Sequence, residues 1–379
     1  VTHRRALVLL AALLGIASVT AAAEAPLFVY VGTYTAGDSR GIYRFRFEEA
    51  SGRLVLEGLA AETPDPSFLA SDAKGRFLFA VNEADSFAPG KSGGVSAFSV
   101  DAATGRLTPL NQQASGGASP CHLTLDAGGR FLLVANYGGS LAVLPLSPEG
   151  RLSPVVSRRD PQGRGPHPRQ DGSHVHGVYL DGLNRRLLAP DLGLDRILLY
   201  DFDPRTGGLE AADPAFAALA PGAGPRHLAF SPDGRFVHSV NELDSTVTTF
   251  AWDAAGKRLE PRGTVKTLPE DFRGESYPAE IAAHPSGRFV YASNRGHDSL
   301  AVFAVEPATG ALRRVAVVVA GGKRPRHFAI APSGRWLLAA HQDSDSIAVF
   351  RIDPATGSLE AAGPPVWAPR PVCVFFLPR

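Results

Sequence analysis

A glycine followed within a few residues by leucine returns seven times along this 379-residue chain: Gly52/Leu54, Gly105/Leu107, Gly150/Leu152, Gly207/Leu209, Gly256/Leu259, Gly310/Leu312 and Gly357/Leu359. The shortest interval, Gly105 to Gly150, is 45 residues and the longest, Gly150 to Gly207, is 57. A second mark runs in phase: Gly75-Arg76-Phe77, Gly129-Arg130-Phe131, Gly234-Arg235-Phe236, Gly287-Arg288-Phe289 and Gly334-Arg335-Trp336, with Asn184-Arg185-Arg186-Leu187 a degraded copy. A period near fifty built from short segments denotes a propeller or a solenoid. The chain carries 40 glycines and 31 prolines along its whole length, which argues against long helices and for many turns. Its apolar fraction, 44%, is that of a globular chain.

One repeat shows the contents of the unit. His227 to Phe230 is an apolar strand, Ser231-Pro232-Asp233-Gly234 a turn, and Arg235 to Val240 a second strand. Thr246 to Ala251 alternates as a third, and Arg258 to Val265 forms a more polar fourth. Four antiparallel strands make a propeller blade. Leu27 to Thr33 matches a second strand with no first strand before it, and Pro371 to Pro378 matches a first strand with nothing after it. Pairing the termini closes the ring and removes its open edges. First strands then begin near Pro66, Pro120, His174, Pro225, Pro278, Pro325 and Pro371. The expected fold is all-β: one seven-bladed propeller over residues 26–379, closed by its N- and C-terminal strands.

Residues 1–25 read as a secretory signal peptide. His3-Arg4-Arg5 is basic, Ala6 to Val19 is apolar, and small residues follow, with cleavage expected after Ala23 or Ala25. The expected location is periplasmic or secreted, with no membrane attachment after signal removal. With 38 Lys+Arg against 37 Asp+Glu the chain is near neutral, so no nucleic-acid partner is expected. Two cysteines, Cys121 and Cys373, cannot build a disulfide framework, and their places two blades apart argue against a bond between them.

In a propeller the first strands line the axis, and the loops entering them share one face with the loops leaving the second strands. At the first positions stand Cys121-His122, His174-Val175-His176, Arg226-His227, Glu280 and Arg326-His327. At the second stand Tyr34, Asn82-Glu83, Asn136-Tyr137, Asp191, Asn241-Glu242, Asn294-Arg295 and His341-Gln342. Polar and cationic groups thus converge on one mouth, which suits an anionic ligand. Asn82 and Asn136 could equally close turns through their side chains, and His327 could bond a neighbouring blade. The Gly-Arg-Phe arginines are expected to be structural. His174 and His176 share a strand face, but no third ligand stands at diagnostic spacing, so no metal is expected.

Together these motifs resemble the seven-bladed lactonase family, typified by the propeller-type 6-phosphogluconolactonases and the fungal carboxy-cis,cis-muconate cyclases. The resemblance covers essentially all of the chain after residue 25. It is carried by Gly32-Thr33-Tyr34-Thr35, Arg169-Gln170 ahead of His174-Val175-His176, Asp191-Leu192-Gly193-Leu194-Asp195, Gly224-Pro225-Arg226-His227, Asn241-Glu242-Leu243 and Ser293-Asn294-Arg295-Gly296. It implies a catalytic set of His176, Arg226, Glu242 and Arg295. Opening a lactone needs a base for water and cations for the oxyanion. His176 or Glu242 is then the acid/base, and Arg226 and Arg295 the oxyanion and anion partners. His174, His227, Arg326, Asn136 and Glu83 are expected to contact the substrate. The scheme requires neither a metal nor an organic cofactor, and the implied partner is a small anionic or sugar lactone. The alternatives are a lactonising cyclase of the carboxymuconate type and a non-catalytic propeller that binds a ligand or partner.

Overall fold

The computed structural model describes residues 26–87 and 90–378, and the signal-peptide reading lies outside them. The described chain folds into seven antiparallel sheets, each a blade. The closing blade takes Pro371–Phe376 as its first strand, then Leu27–Thr33, Gly41–Glu48 and Arg53–Glu62. Its register places Val31 opposite Val374 and Tyr30 opposite Phe375, so the two ends of the chain are hydrogen-bonded to each other. The other blades begin with Leu69–Ser71, Pro120–Leu125, Tyr179–Leu180, Pro225–Phe230, Tyr277–Ala283 and Pro325–Ile330.

Two first strands start later than the expected Pro66 and His174. In the fourth blade the facing strand, Arg186–Asp191, contains Pro190, which has no N–H for the ladder. Only a single bridge joins Val175 to Asp191 there, and regular pairing resumes at Tyr179 opposite Leu188. The seventh blade departs differently. Its fourth strand is broken into Leu359–Ala361 and Val366–Trp367, both paired with Ser346–Ile352, and Pro364-Pro365 stands in the gap.

The two sequence marks are in phase because they touch. The turn glycines Gly52, Gly105, Gly150, Gly207, Gly310 and Gly357 have φ between 66 and 78°. Each lies under an aromatic ring of the preceding blade: Trp336, Phe28, Phe77, Phe131, Phe236 and Phe289 in that order. A Cβ at Gly357 would come within 2.5 Å of the Phe289 ring, so the contact requires glycine for packing as well as for φ. The Gly-Arg-Phe arginines tie the same junctions. Arg235 Nη2 donates to Pro307 O at 2.9 Å, and Arg130 and Arg288 reach Pro204 O and Pro354 O in the same way. Between blades lie the hydrophobic cores, such as Tyr291 and Val302 against Leu337 and Phe350.

The seventh junction changes both partners at once. Where the other blades carry an aromatic, the degraded copy carries Arg186, and at the left-handed position stands Lys257 (φ 55°) rather than Gly256. Arg186 Nη1 (2.5 Å) and Lys257 Nζ (3.2 Å) both meet Asp201, so an ion cluster replaces the ring-on-glycine contact. A non-glycine residue in this conformation costs roughly 1–2 kcal/mol, while a half-exposed lysine pair returns less than about 1 kcal/mol. Lys257→Gly should therefore raise stability by about 0.5–1 kcal/mol, seen as a higher urea midpoint at unchanged m-value.

Candidate active site

The first strands carry a register shift just where they leave the mouth, between Pro120 and His122, Pro225 and His227, Pro278 and Ile281, and Pro325 and His327. A bulge re-aims side chains and breaks the strict alternation of a strand. Arg226 and His227 therefore both reach groups of other blades around the axis, which explains the recurring Pro-Arg-His. Two layers of polar side chains result, one at the mouth and one beneath it.

At the mouth Glu242 is surrounded by three guanidinium groups. Arg169 Nη2 lies 2.7 Å from Oε1, and Arg295 Nη2 and Arg226 Nε lie 2.8 and 3.0 Å from Oε2. The Arg226 contact is an ion pair at good distance whose N–H is not aimed along it. Burial alone would raise the Glu242 carboxyl; Arg295, Arg226 and Arg169 overcome that and hold it down at about 2. Such a carboxylate is a poor proton acceptor near neutrality. Its role is to gather like-charged arginines, whose mutual repulsion it offsets.

The arginines are not fully used by the protein. Arg226 Nη1 donates to Ala279 O at 2.6 Å, and Arg295 Nε to Tyr277 O at 3.0 Å. Arg226 Nη2 and Arg295 Nη1 have no partner among the described residues. Arg326 makes no hydrogen bond to any of them: it lies over the Tyr34 ring at 5.2 Å, with Nη2 3.8 Å from Glu83 Oε2. Tyr34 in turn donates its hydroxyl to Glu83 at 3.0 Å. Burial lowers both Arg226 and Arg295, the latter to about 9, and the charge of Arg326 contributes in each case.

His176 is buried with its Nδ1 3.7 Å from Cys121 Sγ and its ring edge-on to Tyr137. Its Nε2 has no partner among the described residues. Burial and then the Arg226 charge push its pKa well below the ordinary histidine value, so the ring is neutral. His174 sits at the rim, stacked on Tyr137 at 4.4 Å, with Nδ1 on Tyr137 O and Nε2 on Asp171. Among the described residues no group of three or more His, Cys, Asp and Glu is placed to hold a metal ion. Both cysteines are buried free thiols.

Beneath the mouth His122, His227, Glu280, His327, Phe68 and Tyr179 pack across the axis. Phe68 meets His122, His227 and His327 with ring centroids 4.1, 5.8 and 5.6 Å away. His227 Nδ1 and His327 Nε2 lie 3.0 and 3.2 Å from the same oxygen, Glu280 Oε2.

Of the expected substrate contacts, Glu83 and Arg326 stand at the mouth, His174 on its rim and His227 in the layer below. Asn136 is corrected. It is fully buried inside its blade, where Nδ2 donates to Ser140 Oγ (3.1 Å) and Ser115 O (3.3 Å) and Oδ1 is enclosed without a partner, so the side chain does not face the mouth. Asn82 and Asn294 are spent likewise on Thr63 and Ser299. Sequence reasoning set His122 and Glu280 at the mouth without assigning them a role, named Arg169 only within a motif, and did not single out Phe68. Arg169 belongs to a loop inserted in the longest repeat interval, so repeat phasing carries no information about it. Its neighbour Gln170 is buried and donates to Leu192 O and Asp195 Oδ1, which holds the loop against the blade.

The fold is a seven-bladed propeller with a cluster of arginines at one mouth of its axis. The family profile described as "Lactonase, 7-bladed beta-propeller" matches residues 28–376, and the chain belongs to that family. It is 37% identical to a 6-phosphogluconolactonase of Bacillus subtilis over 294 residues, covering 77% of this chain and 82% of the relative. A 6-phosphogluconolactonase of Formosa agariphila is 32% identical over 296 residues, 76% of this chain and 81% of the relative. Among solved structures, a periplasmic gluconolactonase of Pseudomonas aeruginosa superposes with a TM-score of 0.86 at 38% identity, over 93% of this chain and 99% of its own.

Proposed function

We propose that the protein hydrolyses a sugar-type lactone to its aldonate, with Arg226 and Arg295 holding the oxyanion and His176 moving the proton. The observation that carries this reading is the unspent hydrogen-bonding capacity of Arg226, Arg295 and Arg326 around one opening. Guanidinium N–H groups that the protein leaves without acceptors at the mouth are available to the oxygens of a ligand. Family membership, and relatives that are lactonases by name, support the same class of reaction.

Water attacks the lactone carbonyl carbon while its proton passes to His176 Nε2. The carbonyl oxygen becomes an oxyanion beside Arg226 Nη2 and Arg295 Nη1, whose charge is already in place and needs no reorganisation. As the ring C–O bond breaks, the departing ring oxygen takes the proton back from His176. The product is a hydroxy acid that releases its proton to solvent as the aldonate. Of the two acid/base residues the resemblance implied, the neutral His176 suits this role and the arginine-locked Glu242 does not. Arg326, lying over the Tyr34 ring, would receive a second anionic or hydroxyl group of the substrate in this reading. The basic-apolar-small pattern of the first 25 residues and the periplasmic relative support an exported enzyme acting on an aldonolactone outside the cytoplasm.

A pH-stat screen of aldonolactones, phosphorylated and unphosphorylated, tests the reading directly. Saturable proton release by the full chain is expected. No release from any sugar lactone would overturn it, and turnover of carboxymuconolactone alone would favour the cyclase reading.

A further inference from the structure

Two carboxylates at the mouth differ in how they are held. Glu242 is locked among arginines, whereas the cation beside Glu83 is Arg326, with Nη2 3.8 Å from Oε2. Glu83 Oε2 accepts from the Tyr34 hydroxyl at 3.0 Å, and Oε1 has no partner among the described residues. Burial raises the Tyr34 hydroxyl above the ordinary tyrosine value, so at neutral pH it keeps its proton and donates it to Glu83. The Glu83 and Arg326 side chains are 17% and 14% exposed, so each keeps one side open to the mouth. The backbone N–H groups flanking them are spent: those of Tyr34, Thr35, Glu83 and Ala84 go to Arg370 O, Asp65 Oδ1, Asp65 O and Asn82 O. Of these groups Arg326 is left as donor and Glu83 Oε1 as acceptor.

We propose that Glu83 is a specificity-determining residue, which together with Arg326 takes a sugar hydroxyl and turns away a phosphate. A hydroxyl both donates and accepts, so it can give its proton to Glu83 Oε1 and receive an Arg326 N–H. A phosphate monoester near neutrality carries a charge of about −1.5 to −2 on acceptor oxygens. Placed on Arg326 it would meet the Glu83 carboxylate, like charge against like charge, with no proton to share between them. Strong phosphate sites surround the anion with several donors from arginines or backbone N–H groups. Here a carboxylate stands where a second donor is needed.

The charge of Arg326 acts on both Arg226 and Arg295, so the pair belongs to the same opening as the oxyanion partners. Glu83 and Arg326 carry opposite charges and are neutral as a unit, which suits an uncharged polyol. The substrate they select is an unphosphorylated aldonolactone. Selection between lactones rests on the lactonase reading; recognition of a hydroxyl over a phosphate does not.

The test compares kcat/KM for glucono-δ-lactone and its 6-phosphate in the wild type and in Glu83→Gln. The wild type should favour the unphosphorylated lactone by about 10-fold or more. Glu83→Gln keeps the shape and an acceptor for Tyr34, but removes the charge and offers an amide N–H. The preference should then fall by about 10-fold, chiefly through a lower KM for the phosphorylated lactone. A merely structural role would impair both substrates alike and leave their ratio where it was. A wild type that turns over the phosphorylated lactone as well or better overturns the proposal, as does a folded Glu83→Gln with an unaltered ratio. Should Glu83→Gln not fold, Glu83→Ser removes the same charge and carries the comparison. Titration calorimetry with gluconate and 6-phosphogluconate repeats it without turnover. If no lactone is opened, but gluconate binds more tightly and Glu83→Gln narrows the gap, the recognition stands and only the functional reading falls. If 6-phosphogluconate binds more tightly, or neither binds, the proposal falls as well.

Discussion

Arg226→Ala is expected to lower kcat/KM for a sugar lactone by about 10²–10³-fold, the usual cost of losing one preorganised oxyanion donor. Most of the loss should fall on kcat, because the charge that Arg226 Nη2 meets develops only as the carbonyl oxygen becomes an oxyanion. The partner substitution, Glu242→Gln, should impair the enzyme by a different route. Glu242 touches Arg169, Arg226 and Arg295 within 3.0 Å, and without its charge the buried Arg226 and Arg295 and the partly exposed Arg169 face one another. Removing one member of a buried ion cluster costs roughly 3–5 kcal/mol, so this variant should lose thermal stability as well as turnover. Proton-release kinetics and a melting curve separate the two routes. Unchanged turnover in both variants would sink the site assignment.

Trp336→Ala should cost the fold about 3–5 kcal/mol. Trp336 is almost fully buried and belongs to the second strand of the seventh blade, yet its contacts lie in the closing blade. Its ring covers Gly52, meets Phe47 edge-on at 6.1 Å, and its Nε1–H donates to Glu49 O at 2.8 Å. Truncation would leave a cavity at the junction that joins the two ends of the chain, together with an unsatisfied carbonyl. The same truncation at Phe131 should cost less, because the ring there joins blades that are already adjacent in sequence and carries no hydrogen bond. Urea denaturation of the two variants side by side checks the difference; equal midpoints would show that closure carries no special weight.

Blade count and closure were legible because they rest on turn chemistry that each repeat must supply for itself. A left-handed turn position calls for glycine and a strand pair calls for alternation, and both leave periodic marks. The Lys257 junction shows the limit of that signal: Gly256 carries the mark in sequence, but the left-handed position is Lys257, which meets Asp201 beside Arg186. The start of the fourth blade was misplaced for a comparable reason. Pro190, on the facing strand, weakens a ladder whose partner in sequence looks unbroken.

The site was legible in its residue types but not in its assignments. Arg226, Glu242, Arg295 and His176 could be carried over from motifs, and the structure brings all four to the axis. Asn136 occupies the place of Asn82, the last residue of a second strand, and both side chains turn into their blades, while Glu83, one residue further on, turns to the mouth. The repeat located this strand end, but not which of its two polar residues serves the mouth.

The sequence by itself determined the periodic architecture: seven blades, four-stranded units and the pairing of the termini, because these follow from local backbone and packing rules repeated along the chain. Only the tertiary structure decided the chemistry of the axis. It locked Glu242 among three arginines, left Arg326 without a hydrogen bond, and set His227 and His327 on Glu280. Those relations join residues from different blades, and the cause is electrostatic: burial and neighbouring charge determine what a carboxylate or imidazole can do.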